Sequence, residues 1–228
     1  MTAAAPQTIH IAVMALGGQG GGVLIDWLVD LAEHAALDRD RPLRWPASRS
    51  APAPRSTTWR WSRRHQAASR ILALMPVPGE VDVVIAAEMM EAGRAVERGF
   101  VTPQRTLVIA SRHRTYSVQE KTAPGDAVAD TAAVQEIVRR EARQLLIDDF
   151  QALATQHGSV ISAALFGALA GSATLPFTRE QFEAVVERSG VGVQASLAAL
   201  RAAAQSAATS AATATVADPM QSDATAVA

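Results

Sequence analysis

The stretch IAVMALGGQGGG at residues 11–22 decides the fold predicted for this chain. Ile11–Leu16 is an unbroken apolar run, which is typical of a strand buried on both faces of a parallel sheet. Gly17–Gly22 then turns the chain, and Val23–Leu28 opens an amphipathic helix. Strand, glycine turn and helix form the first half of a βαβ unit. Glycine permits the tight turn and a close approach of the backbone to another molecule.

The glycine turn does not match the standard nucleotide-binding motifs. A G-x-G-x-x-G pattern that starts at Gly18 has Gly20 in place but ends on Val23, and no G-K-[ST] follows. Two interpretations stay open. Either the backbone amides of Gly17, Gly18, Gln19 and Gly20 contact a cofactor or a partner subunit, or the turn is simply tight and binds nothing.

Two further apolar runs extend the same pattern. Val81–Ala87 and Thr106–Ala110 are predicted strands, with a helix between them. Further helices are predicted over 131–156, with a break near Asp148, and over 160–170 and 192–204. The chain is therefore predicted to be α/β, with three layers and a mostly parallel central sheet.

Composition excludes several classes of function. The chain has 228 residues and a formal net charge of −1, so nothing attracts it generally to nucleic acid or to an anionic membrane. It contains no cysteine, which excludes disulfides, thiolate catalysis and cysteine ligation of an iron–sulfur cluster by this chain. No apolar run is long enough to span a membrane, and no signal peptide is recognisable, so a cytoplasmic location is expected. The histidine spacing predicts no metal site.

The chain divides by composition into a lead, a domain and a tail. Residues 1–8 are predicted to be a disordered lead, 9–204 the domain, and 205–228 a low-complexity disordered tail. Within the domain, residues 37–70 are atypical because they contain nine arginines against two aspartates, with four prolines and three of the four tryptophans. This segment is predicted to form an irregular, exposed loop. Alternatively, it is a nucleic-acid-binding arm with stacking tryptophans.

A few ionisable residues occupy positions where α/β proteins bind ligands. Glu88, Glu91 and Arg94 follow the second strand and should lie at the carboxyl edge of the sheet. Glu88 is a weak candidate for a cofactor contact, and a solvated helix start is the simpler interpretation. His113 and His157 are interpreted as surface or capping residues. No Ser–His–acid or Cys–His set is present, so no catalytic residue is predicted.

Four segments in order carry a resemblance to a known family. They are IAVMALGGQGGGVL (11–24), LALMPVPGEVDVVIAAEMMEAGRAV (72–96), RGFVTPQRTLVIAS (98–111) and GSVISAALFGALAG (158–171). Together they resemble the beta subunit of indolepyruvate ferredoxin oxidoreductase, in the gamma-domain group of 2-oxoacid:ferredoxin oxidoreductases. The resemblance covers residues 9–200 apart from the arginine-rich segment.

This resemblance implies a Rossmann-like domain within a larger complex. The alpha subunit is expected to hold thiamine diphosphate and 4Fe-4S clusters, and this chain alone to bind no cofactor. The implied reaction is the oxidative decarboxylation of an aryl 2-oxoacid to its acyl-CoA, with coenzyme A as co-substrate and ferredoxin as acceptor. No nucleic acid or membrane partner is implied. The alternative from the residues alone is a free-standing Rossmann-like binding module that binds nucleic acid through the arginine-rich segment.

The arginine-rich segment departs from the resemblance, and the genetic code suggests why. The family would have a QRTGA-like motif there, followed by a strand resembling YYVEV. Residues 49–61 can be written in codons that, read two bases later, encode QRTGATLYYVEV. We therefore interpret 37–70 as a frameshifted insert whose frame is restored before Ile71.

Overall fold

The structure, a computed structural model, describes residues 8–35, 56–62, 76–114 and 130–216. Its strands are β1 (Thr8–Met14), β2 (Ser56–Ser62), β3 (Val83–Ala86), β4 (Leu107–Ser111) and β5 (Gln144–Asp148). They form one sheet in the order β2–β1–β3–β4–β5. β1, β3, β4 and β5 pair in parallel, and β2 pairs antiparallel with β1. The three predicted strands thus lie in one mostly parallel sheet, which confirms the α/β prediction.

Helices cover both faces of this sheet. They are α1 (Gly21–Ala35), α2 (Met89–Glu97), α3 (Thr131–Glu141), α4 (Phe150–Gln156), α5 (Ile161–Gly171), α6 (Arg179–Ser189) and α7 (Val193–Val216). α2 and α3 pack on one face, whereas α1 and α4–α7 pack on the other. The result is the predicted three-layer, Rossmann-like arrangement.

The alternation of side chains along β1 explains why its sequence is apolar throughout. Ile9, Ile11 and Val13 join the core beneath α1 and α4–α7, whereas Ala12 and Met14 join the core beneath α2 and α3. A strand covered on both faces has no solvent-facing position, so both sets of alternate residues must be apolar.

Helix α5 is the centre of the thicker layer. All residues from Ile161 to Leu169 are buried, as predicted for this segment. Gly167 and Gly171 allow α7 to approach closely, since a Cβ on either would lie 2.2 Å from a backbone carbonyl oxygen, that of Leu200 or Ala204 respectively. The two helices therefore meet backbone to backbone at these glycines.

Polar side chains close the amino edge of the sheet. Arg105 Nε donates to Asp82 Oδ1 at 2.7 Å and Arg105 Nη2 donates to Asp82 Oδ2 at 3.2 Å. The backbone N–H of His10 also donates to Asp82 Oδ2, at 2.7 Å. The hydrogen bond with Asp82 is the main reason that the pKa of Arg105 is raised. These bonds tie β1, β3 and β4 together at this edge.

The predicted long helix over 131–156 is wrong in its middle. α3 ends at Glu141, and Gln144–Asp148 forms β5, which pairs with β4 through Leu146 opposite Ile109. Leu145 and Leu146 fit helical spacing equally well, so the open edge of β4 decides their conformation. The predicted break near Asp148 is present, and Asp149 caps α4 by accepting the Ala152 N–H at 2.8 Å.

The predicted end of the last helix at Ala204 is also wrong. α7 continues to Val216, and Ala207 is buried against the core. Ser206 Oγ donates a hydrogen bond to Asp148 Oδ2 at the end of β5. Small residues can be buried here because α7 packs closely against its neighbours, which a composition-based assignment of a tail does not consider.

The prediction of an irregular loop for 37–70 is wrong for Ser56–Ser62. These residues form β2, whose register places Trp59 opposite Ile11 and Trp61 opposite Ile9. Threonine and tryptophan favour strands, and the tryptophans alternate with Arg60 at the period of a strand. The edge of β1 supplies the backbone hydrogen-bonding partner that this strand-forming sequence needs.

Several other predictions lie outside the described residues. These are the lead over 1–7, the rest of the atypical segment over 36–55 and 63–75, and the tail over 217–228. Thr8, assigned to the lead, begins β1. Within the described ranges no single helix is long and apolar enough to cross a membrane, and the bent pair α4–α5 meets that test by length and composition only.

Candidate functional site

The glycine turn joins the carboxyl end of β1 to the start of α1. Gln19 closes it locally, since its Oε1 accepts the Leu16 N–H at 2.8 Å and its own N–H donates to the Leu16 carbonyl at 3.1 Å. Gly18 and Gly20 have φ values of +88° and +72°, which favour glycine. The backbone conformation of the turn itself thus explains the glycines at positions 18 and 20.

Gly20 lies where the turn meets helix α5. Its carbonyl oxygen accepts the Leu24 N–H at 3.1 Å and the Ser162 Oγ–H at 2.9 Å. A Cβ on Gly20 would lie 2.1 Å from Ser162 Oγ. Ser162, in the first turn of α5, is buried. Backbone conformation and this contact therefore both require glycine at position 20.

Gly17 is different because the fold does not explain it. It is exposed, it has no left-handed φ, and a Cβ built on it would meet nothing within 4 Å. Gly18 is also exposed, and its Cβ position is equally open. Nothing in the described part of the chain would prevent a side chain at position 17.

The outer side of the turn is the accessible one. The space enclosed by the turn, the start of α5 and the ends of β1 and β3 is too small to admit a water molecule. Gly17 and Gly18 do not line this space and are exposed to solvent. Because α1 begins at Gly21, the positive end of its macrodipole lies beside this surface.

Glu88 and Glu91 lie at the start of α2 but do not form the predicted solvated helix start. The ends of the two neighbouring strands meet, since the Ala87 N–H donates to the Met14 carbonyl at 2.9 Å. Glu88 follows directly as the N-cap residue of α2 and is 1% exposed, and Glu91 is 0% exposed. Arg94 Nη1 donates to Glu91 Oε1. Burial of two carboxyl groups at this edge contradicts the simpler interpretation.

His113 and His157 lie at the ends of other elements. His157 is the C-cap residue of α4, as predicted for a capping residue, and His113 follows β4, where its N–H donates to Ser111 Oγ at 3.3 Å. Among the described residues no group of three or more His, Asp or Glu side chains is arranged to hold a metal ion.

Ser162 is the site residue that sequence analysis missed. It lies in GSVISAALFGALAG, which was interpreted only as a buried helix. A polar residue in the first turn of an otherwise apolar helix is a detectable signal, but its partner is 142 residues away in the sequence. No local pattern could pair Ser162 with Gly20.

Comparison with known proteins gives structural matches only. No family model matches the chain, and no curated protein matches it. The PORC subunit of pyruvate oxidoreductase from Thermotoga maritima superposes with a TM-score of 0.54 and 17% identity, over 88% of this chain and 97% of that one. Our chain thus spans nearly the whole of that subunit.

Two further solved structures match over most of this chain. For 2-oxoglutarate:ferredoxin oxidoreductase from Magnetococcus marinus the TM-score is 0.51 and the identity 14%, over 94% of this chain and 32% of that one. For the gamma subunit of keto/oxoacid ferredoxin oxidoreductase from Geobacter sulfurreducens the values are 0.48 and 14%, over 90% and 99%. At such identities, the first two matches establish a shared fold.

Proposed function

We propose that this chain is a subunit of a 2-oxoacid:ferredoxin oxidoreductase complex whose substrate is an aryl 2-oxoacid such as indolepyruvate. The observation that carries the proposal is the end-to-end match of its fold with the PORC subunit, 97% of which is covered. The four ordered sequence segments support the same family independently. The aryl substrate rests on the sequence resemblance alone.

In the proposed reaction the 2-oxoacid loses carbon dioxide and its acyl group passes to the sulfur of coenzyme A. The two electrons released by oxidation of the acyl carbon pass singly to two equivalents of ferredoxin, and the proton of the coenzyme A thiol is released. Thiamine diphosphate and 4Fe-4S clusters would supply this chemistry from the alpha subunit. The chain described here has no cysteine to ligate a cluster. The Magnetococcus structure contains bound 2-oxoglutarate, coenzyme A and succinyl-CoA.

The role proposed for this chain is to contact that partner through the glycine turn. Gly17 supports this role because the described residues give no steric or backbone reason for glycine there. A backbone without side chains lets another surface approach the amides of Gly17, Gly18, Gln19 and Gly20 closely. Glu88 stays a weak candidate for a cofactor contact, but at 1% exposed it is not part of this contact surface.

Graded substitutions at Gly17 test the proposal. The chain should be co-expressed with the thiamine-binding subunit from the same organism, and assembly measured by chromatography and titration. Gly17→Ala and Gly17→Phe should change the free energy of unfolding by less than about 0.5 kcal/mol, since the space is open. They should weaken assembly progressively, with Phe the stronger. Ala208→Phe is the matched control, because Ala208 is exposed on α7 beyond the Ser206–Asp148 bond.

The activity assay and one binding assay separate this proposal from the alternative. The isolated chain should show no turnover with indolepyruvate, coenzyme A and ferredoxin, and turnover should appear with the partner. Turnover without a partner, or a wild-type chain that never assembles, would contradict the proposal. Binding to single-stranded DNA that weakens steeply with salt would instead favour the free-standing module with a basic arm.

A further inference from the structure

Two anchors among the described contacts hold the apex of the glycine turn, Gly17–Gly18. The first is local and consists of the reciprocal bonds between Gln19 and Leu16. The second connects the turn to another element, since Ser162 Oγ donates to the Gly20 carbonyl at 2.9 Å. Gly17 and Gly18, the apex, lie inside the loop that the first anchor closes, and no described residue lies within 4 Å of their Cβ positions. The hydrogen bonds at Gln19 and Gly20 are therefore the described contacts from which the orientation of the apex can be argued.

The second anchor is a buried hydrogen bond. Ser162 is 1% exposed, so water does not compete for its hydroxyl group. The Gly20 carbonyl also accepts the Leu24 N–H of α1, so Ser162 and the first turn of α1 hold the same oxygen atom. Loss of the hydroxyl would leave that carbonyl bonded to the Leu24 N–H and remove this hydrogen bond between the turn and α5.

We propose that Ser162 is a positioning residue that holds the apex Gly17–Gly18 in the orientation in which it meets the partner subunit. The proposal rests on the function proposed above. Ser162 does not touch the partner in this scheme, because it lies buried behind the turn. It acts through the Gly20 carbonyl, and its substitution should loosen the turn while the rest of the fold stays intact.

Amide hydrogen exchange in the full chain tests the positioning role without any partner. Ser162→Ala should raise the exchange rates at Gln19 and Leu24 roughly three- to tenfold, the effect of one lost hydrogen bond. Ser196→Ala is the matched control: Ser196 is also buried, and its hydroxyl lies 3.1 Å from Ser159 Oγ, so this bond does not involve the Gly20 carbonyl. It should leave Gln19 and Leu24 unchanged. Ser162→Thr retains the hydroxyl and should restore protection.

The outcomes distinguish this inference from the proposed function. Equal exchange at Gln19 and Leu24 in Ser162→Ala and Ser196→Ala would overturn the positioning role. If Ser162→Thr does not fold, the comparison of Ser162→Ala with Ser196→Ala still tests the positioning role. With the partner present, Ser162→Ala should dissociate roughly three- to tenfold faster, and unchanged dissociation would overturn the link to assembly. A wild-type chain that does not bind the partner contradicts the proposed function and leaves the exchange result standing.

Discussion

The glycine turn and the helix glycines Gly167 and Gly171 place the same residue type under opposite steric conditions. In α5, a Cβ on either glycine would lie 2.2 Å from a backbone oxygen of α7. At Gly17 and Gly18, no described residue lies within 4 Å of the equivalent position. The glycines of α5 serve the packing of the chain itself, whereas the described part of the chain offers no such reason for Gly17.

This difference shows that the more conspicuous of the two glycine patterns, GGQGGG, is the one that constrains the fold less. GGQGGG is easy to recognise, yet only Gly18 and Gly20 in it have a left-handed φ. The spacing of Gly167 and Gly171 inside an apolar segment is less conspicuous, yet the core depends on it. Substitutions in the two regions should therefore separate stability from assembly.

The largest expected effect is that of Gly167→Ala. The added methyl group would overlap the backbone of α7 at Leu200, which cannot rotate away as a side chain can. We expect the free energy of unfolding to fall by about 3 kcal/mol, measured by urea denaturation. Gly93→Ala in α2 is the matched control, since its Cβ would meet only the Val134 side chain, at 2.8 Å. Equal losses in the free energy of unfolding for the two variants would contradict the argument that overlap with a backbone costs more than overlap with a side chain.

The next effect concerns Gly20→Ala. Its φ of +72° costs an alanine about 1–2 kcal/mol, and the contact with Ser162 Oγ adds to this. In a Ser162→Ala background the contact disappears, because the next atom, Ser162 Cβ, is 3.5 Å away. The double variant should therefore lose less stability than the sum of the single variants. Additivity within about 0.5 kcal/mol would contradict the described contact.

A stabilising effect is expected for Gly22→Ala. Gly22 lies in the first turn of α1, is exposed, and its Cβ would meet nothing within 4 Å. Alanine is the better helix former, so the midpoint of thermal unfolding should rise, for a gain of about 0.5 kcal/mol. A loss of stability would mean that the start of α1 is constrained in a way that the turn geometry does not reveal.

The smallest effect tests whether charge contributes to holding α7 against the helix glycines. Glu183 of α6 accepts from Arg201 Nη2 at 2.6 Å, and this bond is the main reason that the pKa of Glu183 is lowered. A lowered folded-state pKa contributes stability above the unfolded value near 4.5, which is lost as pH falls through the folded value. Glu183→Gln should therefore be less stable than wild type at pH 7, with the difference shrinking at acid pH. Urea midpoints measured across pH test this.

The control for that experiment is Glu136→Gln on α3. Glu136 and Arg139 form a single exposed pair, with an Nη1–Oε2 distance of 3.1 Å. Solvent screening makes such a pair nearly neutral for stability. If Glu136→Gln lost as much stability, with the same pH dependence, as Glu183→Gln, the contact between α6 and α7 would not differ from an ordinary exposed ion pair.

Sequence patterns predicted the sheet where the strands are continuous apolar runs. The runs containing β1, β3 and β4 are too apolar to be anything but buried, and their spacing requires crossovers. β5 was missed because Leu145 and Leu146 satisfy strand and helix patterns alike, so tertiary pairing decides. The packed part of α7 was missed because Ala207 and Ser206 resemble the low-complexity residues that follow them.

The candidate site was predicted only in part for a related reason. The glycine turn is a local signal, so Gly17, Gly18, Gln19 and Gly20 could be found. Ser162 acts across the fold, and the burial of Glu88 depends on neighbouring elements that no local pattern reports. A single sequence does not show which distant residues are in contact.

The frameshift interpretation stays a prediction, and the strand that the arginine-rich sequence itself forms at Ser56–Ser62 does not support it. In the alternative codons, YYVEV would be encoded across residues 56–61, which lie within the strand Ser56–Ser62. Both sequences favour strands, so β1 would be paired in either frame. Resequencing the gene across 37–70 tests the interpretation, and an intact frame in active relatives would contradict it.

The bond between Ser162 and Gly20 also sets an order for synthesis and assembly. Its two residues are 142 positions apart, so a growing chain makes the turn early and can anchor it only after α5 has emerged and docked. A truncated or stalled chain that ends before α5 displays the glycines without their anchor. If the anchored turn is the form that the partner accepts, incomplete chains are excluded from the complex without a separate proofreading factor.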